Sequence, residues 1–85
     1  IDTVYSLLDG EYEFIEAKIL ETSELVGKSI KDSNLPEEVR VGAIVRKSKV
    51  MMPKSTSVFE KNDIVVLLSK RDQLKQVENL FSITS

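Results

Sequence analysis

The sequence predicts an α+β domain: a mostly antiparallel sheet of four or five strands with two short helices. Three observations carry that prediction. Apolar and polar residues alternate between Tyr12 and Leu20, the period of a half-buried strand. Ile64 to Leu68 is apolar at every position, and Leu74, Val77, Leu80 and Phe81 come after it at helical spacing. Between these segments Gly10, Gly27, Pro36 and Pro53 cut the chain into short pieces.

Ile1, Thr3, Tyr5 and Leu7 alternate with Asp2 and Ser6, so residues 1–7 read as the first strand, with Val4 breaking the pattern. Asp9-Gly10 is a strong turn signal before the second strand. There Ile15, Ala17 and Ile19 fall on one face and Glu16 and Lys18 on the other. Tyr12 and Phe14 share the more polar face, so part of it is expected to be covered as well. Thr22-Ser23 can end this strand and cap the next segment. A short helix is expected over about Lys28 to Asn34, entered through Gly27 and turning Ile30 and Leu35 inward. Asn34 stops it and Pro36 prevents its continuation.

Arg40 to Arg46 and Lys49 to Pro53 read as a hairpin. Its Lys47-Ser48 turn has no Gly or Asn to supply a positive φ, so the turn type stays open. Gly42, inside the first arm, suggests close approach of another backbone, across an interface as one option. Pro53 ends the second arm. Residues 54–61 are expected to connect with Val58 and Phe59 tucked under. After the apolar strand, Ser69 with Asp72 three residues on is a capping-box pattern for the last helix, with Lys75 and Glu78 outward.

At 85 residues the chain has room for one domain, residues 1–85. A domain this short buries only about 60–65% of its unfolded surface, so outside help is expected. The absence of Cys excludes disulfides, and the absence of Cys and His argues against structural zinc. Oligomerisation or attachment to a larger protein remains. A strand apolar on both faces, such as Ile64–Leu68, needs cover on both. One cover is the last helix; the other is expected to be a second copy or the rest of a parent protein. An Ile start suggests the C-terminal fragment of a longer chain. No apolar run approaches the ~18–20 residues that span a bilayer.

The net charge of −2 gives no general attraction to nucleic acid. The distribution is uneven. Residues 1–24 carry Asp2, Asp9, Glu11, Glu13, Glu16, Glu21 and Glu24 against Lys18 alone. Residues 40–54 carry Arg40, Arg46, Lys47, Lys49 and Lys54 and no acid. Two solvated surfaces and two faces that pair in a dimer both fit this split. The basic stretch has no aromatic stacking platform, so no nucleic-acid partner is expected.

No constellation for catalysis is present, since the usual bases and nucleophiles are missing and the carboxylates lie near turns. No residue is assigned to a metal, and no Gly-rich turn cradles a dinucleotide. The one candidate site is a groove at a two-fold interface lined by Val41, Ile44, Arg46, Met52 and Pro53. There Arg46 would contact the phosphate of a small anionic effector and the Met51-Met52 pair would give an adaptable wall. The competing reading places Arg46 on a rim and uses Pro53 only to end a strand.

Val26-Gly27-Lys28, Leu35-Pro36, Val41 to Arg46, Val50 to Pro53, Asn62-Asp63 and Val77-Glu78-Asn79-Leu80-Phe81 succeed one another in an order that resembles the TrkA-C family, the RCK C-lobe of potassium-transport subunits. The closing run and Val4-Tyr5-Ser6-Leu7 are most similar to the Gram-negative Trk branch. The family's usual Gly-Asp pair is Asn62-Asp63 here, and Asn tolerates positive φ. The resemblance implies a cytoplasmic regulatory and dimerisation domain, at the inner face of the plasma membrane, coupling the ligand state of its parent to a membrane potassium channel subunit. It implies a homodimer through the sheet or hairpin, and an upstream Rossmann-like lobe that carries the NAD or ATP site, so that no cofactor is expected in residues 1–85. Two alternatives stay open: a lobe that itself binds a cyclic dinucleotide or a cation, and the same module appended to another cation transporter.

Overall fold

The computed structural model describes residues 10–81 in full and residues 3–7 by their backbone. The described residues build one five-stranded sheet in the order β1-β2-β5-β3-β4, antiparallel at every pairing. The strands are β1 (Thr3–Leu7), β2 (Tyr12–Lys18), β3 (Val39–Arg46), β4 (Lys49–Met51) and β5 (Ile64–Lys70). One α-helix, α1 (Leu74–Leu80), comes after β5. The last strand in sequence is thus central in the sheet, between β2 and β3.

Alternation decides which side chains reach the core. In β2, Ile15 and Ala17 are fully buried, and in β5 Leu67 and Val65 are their register partners. Val39 and Ile44 extend this face across β3. Its cover is α1, which contributes Val77 and Phe81, together with Ile19, Leu25 and Phe59 from the loops. Ile30, Leu35, Leu74 and Leu80 pack around them. The loops are fastened by Ser23, whose hydroxyl donates to the Leu80 carbonyl at 2.7 Å and accepts from the Leu25 amide at 3.1 Å. That satisfies a carbonyl in the last turn of α1, where no intrahelical partner exists.

Several expectations are corrected. The expected Lys28–Asn34 helix is a single 3₁₀ turn, Ile30–Asp32. The chain around it is held instead by backbone bonds to the connection: Gly27 N–H to Phe59, Ile30 N–H to Ser57 and Lys31 N–H to Ser55. Amides spent on a neighbouring segment are not available to a helix. The capping box is absent too. β5 runs on to Lys70, the Ser69 side chain is buried, and its hydroxyl bonds the Lys70 carbonyl. A 3₁₀ turn, Arg71–Gln73, then leads into α1 without a side-chain cap. Val58 is not tucked under but 44% exposed, whereas Phe59 is fully buried.

Other expectations hold. Gly27, Asn34 and Asn62 all adopt positive φ (84°, 58° and 71°), at the helix-like entry, its stop and the turn before β5. Lys47 and Ser48 also have positive φ, 51° and 66°, as a two-residue I′ hairpin turn requires, although neither residue favours it. Asp9 of the predicted first turn lies outside the described residues; Gly10 beside it has φ 88°.

Candidate functional site

The apolar character of Ile64–Leu68 creates the first candidate surface. Its odd positions face the core, so Ile64, Val66 and Leu68 emerge on the opposite, outer face, each half-buried. In the register, Leu68 lies beside Phe14, Val66 beside Ala43, and Ile64 beside Val45, which in turn pairs with Val50. An apolar strip therefore crosses the outer face from β2 to β4. Phe14 is 40% exposed, Val50 70% and Met52, just beyond β4, 79%. No α-helix among the described residues is left to cover it, since the only one, α1, packs on the core face.

The second candidate is a charged corner where β3, the end of β2 and the connection into β5 meet. Arg46 closes β3 with its Nε donating to Asp63 Oδ1 and its Nη2 to Asp63 Oδ2, each at 2.8 Å. Nη2 also donates to the Val58 carbonyl, and Nη1 pairs with Glu60 Oε2 at 2.9 Å. Asp63 is buried and takes a further bond from the Glu60 amide at 2.9 Å. Its backbone carbonyl accepts from the Ile19 amide. Burial pushes the Asp63 carboxyl upward, but the Arg46 hydrogen bonds and charge and the Glu60 amide outweigh it and hold the group below the usual aspartate range. The same hydrogen bonding raises Arg46. The corner is thus a latch: one bidentate pair joins β3 to the loop that enters β5.

The third is an open cleft of about 440 Å³ between the first 3₁₀ turn and β3. Ile30, Leu35, Pro36 and Val41 form apolar walls, and Lys31 and Arg40 supply cations. Arg40 is steadied by bonds from Nη1 to the Glu37 and Val39 carbonyls.

The five groove residues expected from the sequence do not converge on one surface of the protomer. Val41 lines the cleft. Ile44 has no exposed surface and belongs to the core, because the β-bulge between Val41 and Ala43 shifts the alternation by one. Arg46 is engaged by Asp63, so its guanidinium fork serves the fold. Met52 is on the exposed edge and Pro53 is half-buried beside it. Lys31, Arg40 and Asp63 were not selected from the sequence. Asp63 was legible in principle: a carboxylate directly before a doubly apolar strand must find a cation, and Arg46 ends the neighbouring one. Lys31 and Arg40 carry no such signal. Among the described residues, no group of three or more His, Cys, Asp or Glu is placed to hold a metal, and no helix is long and apolar enough to cross a membrane.

The TrkA-C domain family matches residues 14–82. This chain belongs to the TrkA-C family. Its relatives include the Trk system potassium uptake protein TrkA of Azorhizobium caulinodans, 47% identical over 95% of this chain. The chain spans 18% of that relative's length. A K(+)/H(+) antiporter NhaP2 of Shewanella is 26% identical over 86% of this chain and 13% of its own length. Among solved structures, the RCK_C domain dimer of S. agalactiae BusR in complex with c-di-AMP superposes with a TM-score of 0.73 at 26% identity, covering 84% of this chain and 97% of that one. BusR in complex with its busAB-promotor DNA matches with a TM-score of 0.72 at 26% identity, covering 82% of this chain and 36% of that one. The TrkA-C fold and the potassium-transport family expected from the ordered motifs are therefore correct.

Proposed function

We propose that this TrkA-C domain is the regulatory and dimerising lobe of a Trk-type potassium-uptake subunit, working at the cytoplasmic face of the membrane without chemistry of its own. The observation that carries the reading is the 47% identity to a TrkA protein over nearly the whole domain. The domain would act by contacts that differ between two arrangements of its parent, since only differential stabilisation shifts such an equilibrium. The channel subunit is its final target. An upstream nucleotide-binding lobe, carrying NAD or ATP, is part of the same proposal.

The direct test replaces the matching segment of the Azorhizobium TrkA protein with residues 1–85 and measures rubidium uptake in cells lacking their own TrkA. Uptake well above the level of the segment-deleted protein is the expected result. Uptake equal to the deletion, with the chimera expressed and folded, contradicts it. Failure here combined with function in an antiporter background would favour the module's other setting, seen in the Shewanella relative.

The cleft supports a second reading, in which the lobe itself takes an anionic effector. Lys31 and Arg40 flank apolar walls, a combination suited to a phosphate attached to a flat base, and the BusR relative was solved with c-di-AMP. Arg46 is not the phosphate ligand in this reading, because Asp63 already holds it. Cyclic di-AMP at about 100 times its dissociation constant should stabilise the domain by about 2.7 kcal/mol. That shift should be lost in Arg40→Ala. No saturable shift would leave the lobe as an assembling and transmitting part.

A further inference from the structure

We propose that the β4 edge of the sheet, with the lysines gathered at its end, docks on an anionic lipid surface. The proposal goes beyond the regulatory reading above and shares with it only the membrane as the place of work.

Four exposed lysines meet there. Lys47 is in the hairpin turn, Lys49 opens β4, and Lys54 and Lys61 bracket the connection that returns past the hairpin. The Arg46 latch gathers them, because its guanidinium holds the Val58 carbonyl, Glu60 and Asp63 of that connection against the end of β3. Lys47 and Lys61 consequently line one recess of about 320 Å³. Among the described residues every ion pair belongs to Arg46, so no carboxylate neutralises any of the four lysines. The two arginines of the same stretch are spent inside the fold, Arg46 on Asp63 and Glu60, and Arg40 on the Glu37 and Val39 carbonyls. What faces outward is therefore a spread of flexible point charges, without the planar fork that grips a single phosphate.

The same edge carries Val50 and Met52, 70% and 79% exposed, the two least covered large apolar side chains among the described residues. Apolar side chains set among lysines match the boundary between headgroups and acyl chains, where the apolar atoms leave water and the ammonium groups stay at the surface. Nucleic acid would use the charges but leave Val50 and Met52 in water, and residues 40–54 hold no aromatic to stack on a base. An added peptide strand fits poorly, since β4 offers three residues and Pro53 follows it closely. The topology also orients the domain. β4 forms one edge of the sheet, while β1 and β2 form the other side, where Glu11 is exposed and Glu16 half-buried. An anionic leaflet attracts the first edge and repels the second, so a chain of net charge −2 can still dock in one orientation.

The test is co-sedimentation of residues 1–85 with vesicles of phosphatidylcholine and phosphatidylglycerol in roughly a 2:1 ratio, against vesicles of phosphatidylcholine alone. Binding to the anionic vesicles only, weakening as salt is raised, is the expected result. Each lysine near such a surface is worth about fivefold, so Lys47→Glu/Lys49→Glu should weaken partitioning by about 25-fold or more. Arg71→Glu/Lys75→Glu makes the same change in net charge at exposed positions past the far end of β5 and on α1, and should keep most of the binding. Val50→Ser/Met52→Ser should lower binding several-fold and leave its salt dependence in place. Native circular dichroism spectra show that each variant is folded. Equal losses in the two charge variants overturn the assignment of the edge. Absence of binding, or equal binding to both kinds of vesicle, overturns the proposal outright. Displacement from the vesicles by duplex DNA or by a polyglutamate peptide at matched charge overturns lipid as the occupant. Failed vesicle binding alongside rubidium uptake by the chimera overturns this surface and spares the Trk reading; vesicle binding by a chimera that gives no uptake does the reverse.

Discussion

Arg46→Ala should lower the stability of the domain by about 3 kcal/mol, near the lower end for breaking a buried pair because Arg46 itself is partly exposed. For a chain of this size that is a fall in Tm on the order of 15 °C. The loss comes less from the missing attraction than from the carboxylate left behind. Asp63 is 1% exposed, and without the guanidinium it keeps only the Glu60 amide. Adding Asp63→Asn to the alanine variant should therefore recover part of the loss, since the amide oxygen can still accept from Glu60 and no charge remains unpaired. A double variant as unstable as the single one would show that the loop depends on something other than this charge. The pH dependence has a fixed sign. The folded carboxyl lies below its unfolded value, so the latch is fully stabilising above about pH 4. Its contribution is lost as pH falls through the folded value. Asp63→Asn should flatten that part of the acid-unfolding curve. Both effects are read by thermal and acid melts monitored by circular dichroism.

Phe59→Ala should be larger, about 4 kcal/mol. Phe59 is fully buried and is also the point where the connection before β5 is pinned: its amide donates to Lys28 and its carbonyl accepts from Gly27, each at 2.9 Å. The ring belongs to the core cluster, against which Ile30 and Leu35 of the neighbouring segment pack. With typical stabilities of about 5 kcal/mol for small domains, the variant should be largely unfolded at 37 °C. Val58→Ala, one residue away at a side chain 44% exposed, should cost under about 0.5 kcal/mol. Chemical denaturation of the pair measures the contrast. Equal costs would mean that the aromatic is not the keystone of this loop.

Period carried most of the fold. The alternation at Ile15, Ala17 and Ile19, the doubly apolar Ile64–Leu68 and the spacing of Leu74, Val77 and Phe81 each led directly to the right element. The turn positions at Gly27, Asn34 and Asn62 were readable because few residues accept positive φ. Partnership was not readable. The 28–34 segment has a helix-like sequence, but the Ile30 and Lys31 amides go to Ser57 and Ser55, and that of Gly27 before it to Phe59, a long-range choice that local pattern does not contain. Ser69 looked like a cap because the end of β5 has no mark in the sequence, and strand pairing with Glu13 and Val39 carries the chain past it.

The expected groove residues are dispersed on the protomer for the same reason. A single bulge at Gly42 reverses the alternation along β3, which moves Ile44 into the core and puts Ala43 and Val45 outside. Arg46 looked like a free phosphate ligand until its distant partner, Asp63, was placed beside it. The outer apolar face, by contrast, was legible, since a strand apolar on both sides leaves Ile64, Val66 and Leu68 off the core face.

If this TrkA-C domain is a dimerising lobe, the unmodified chain must self-associate. Sedimentation equilibrium from about 1 µM to about 1 mM decides the matter. A reversible monomer–dimer equilibrium is expected. A single monomeric species across the whole range, with the native fold intact, would rule the assembly out.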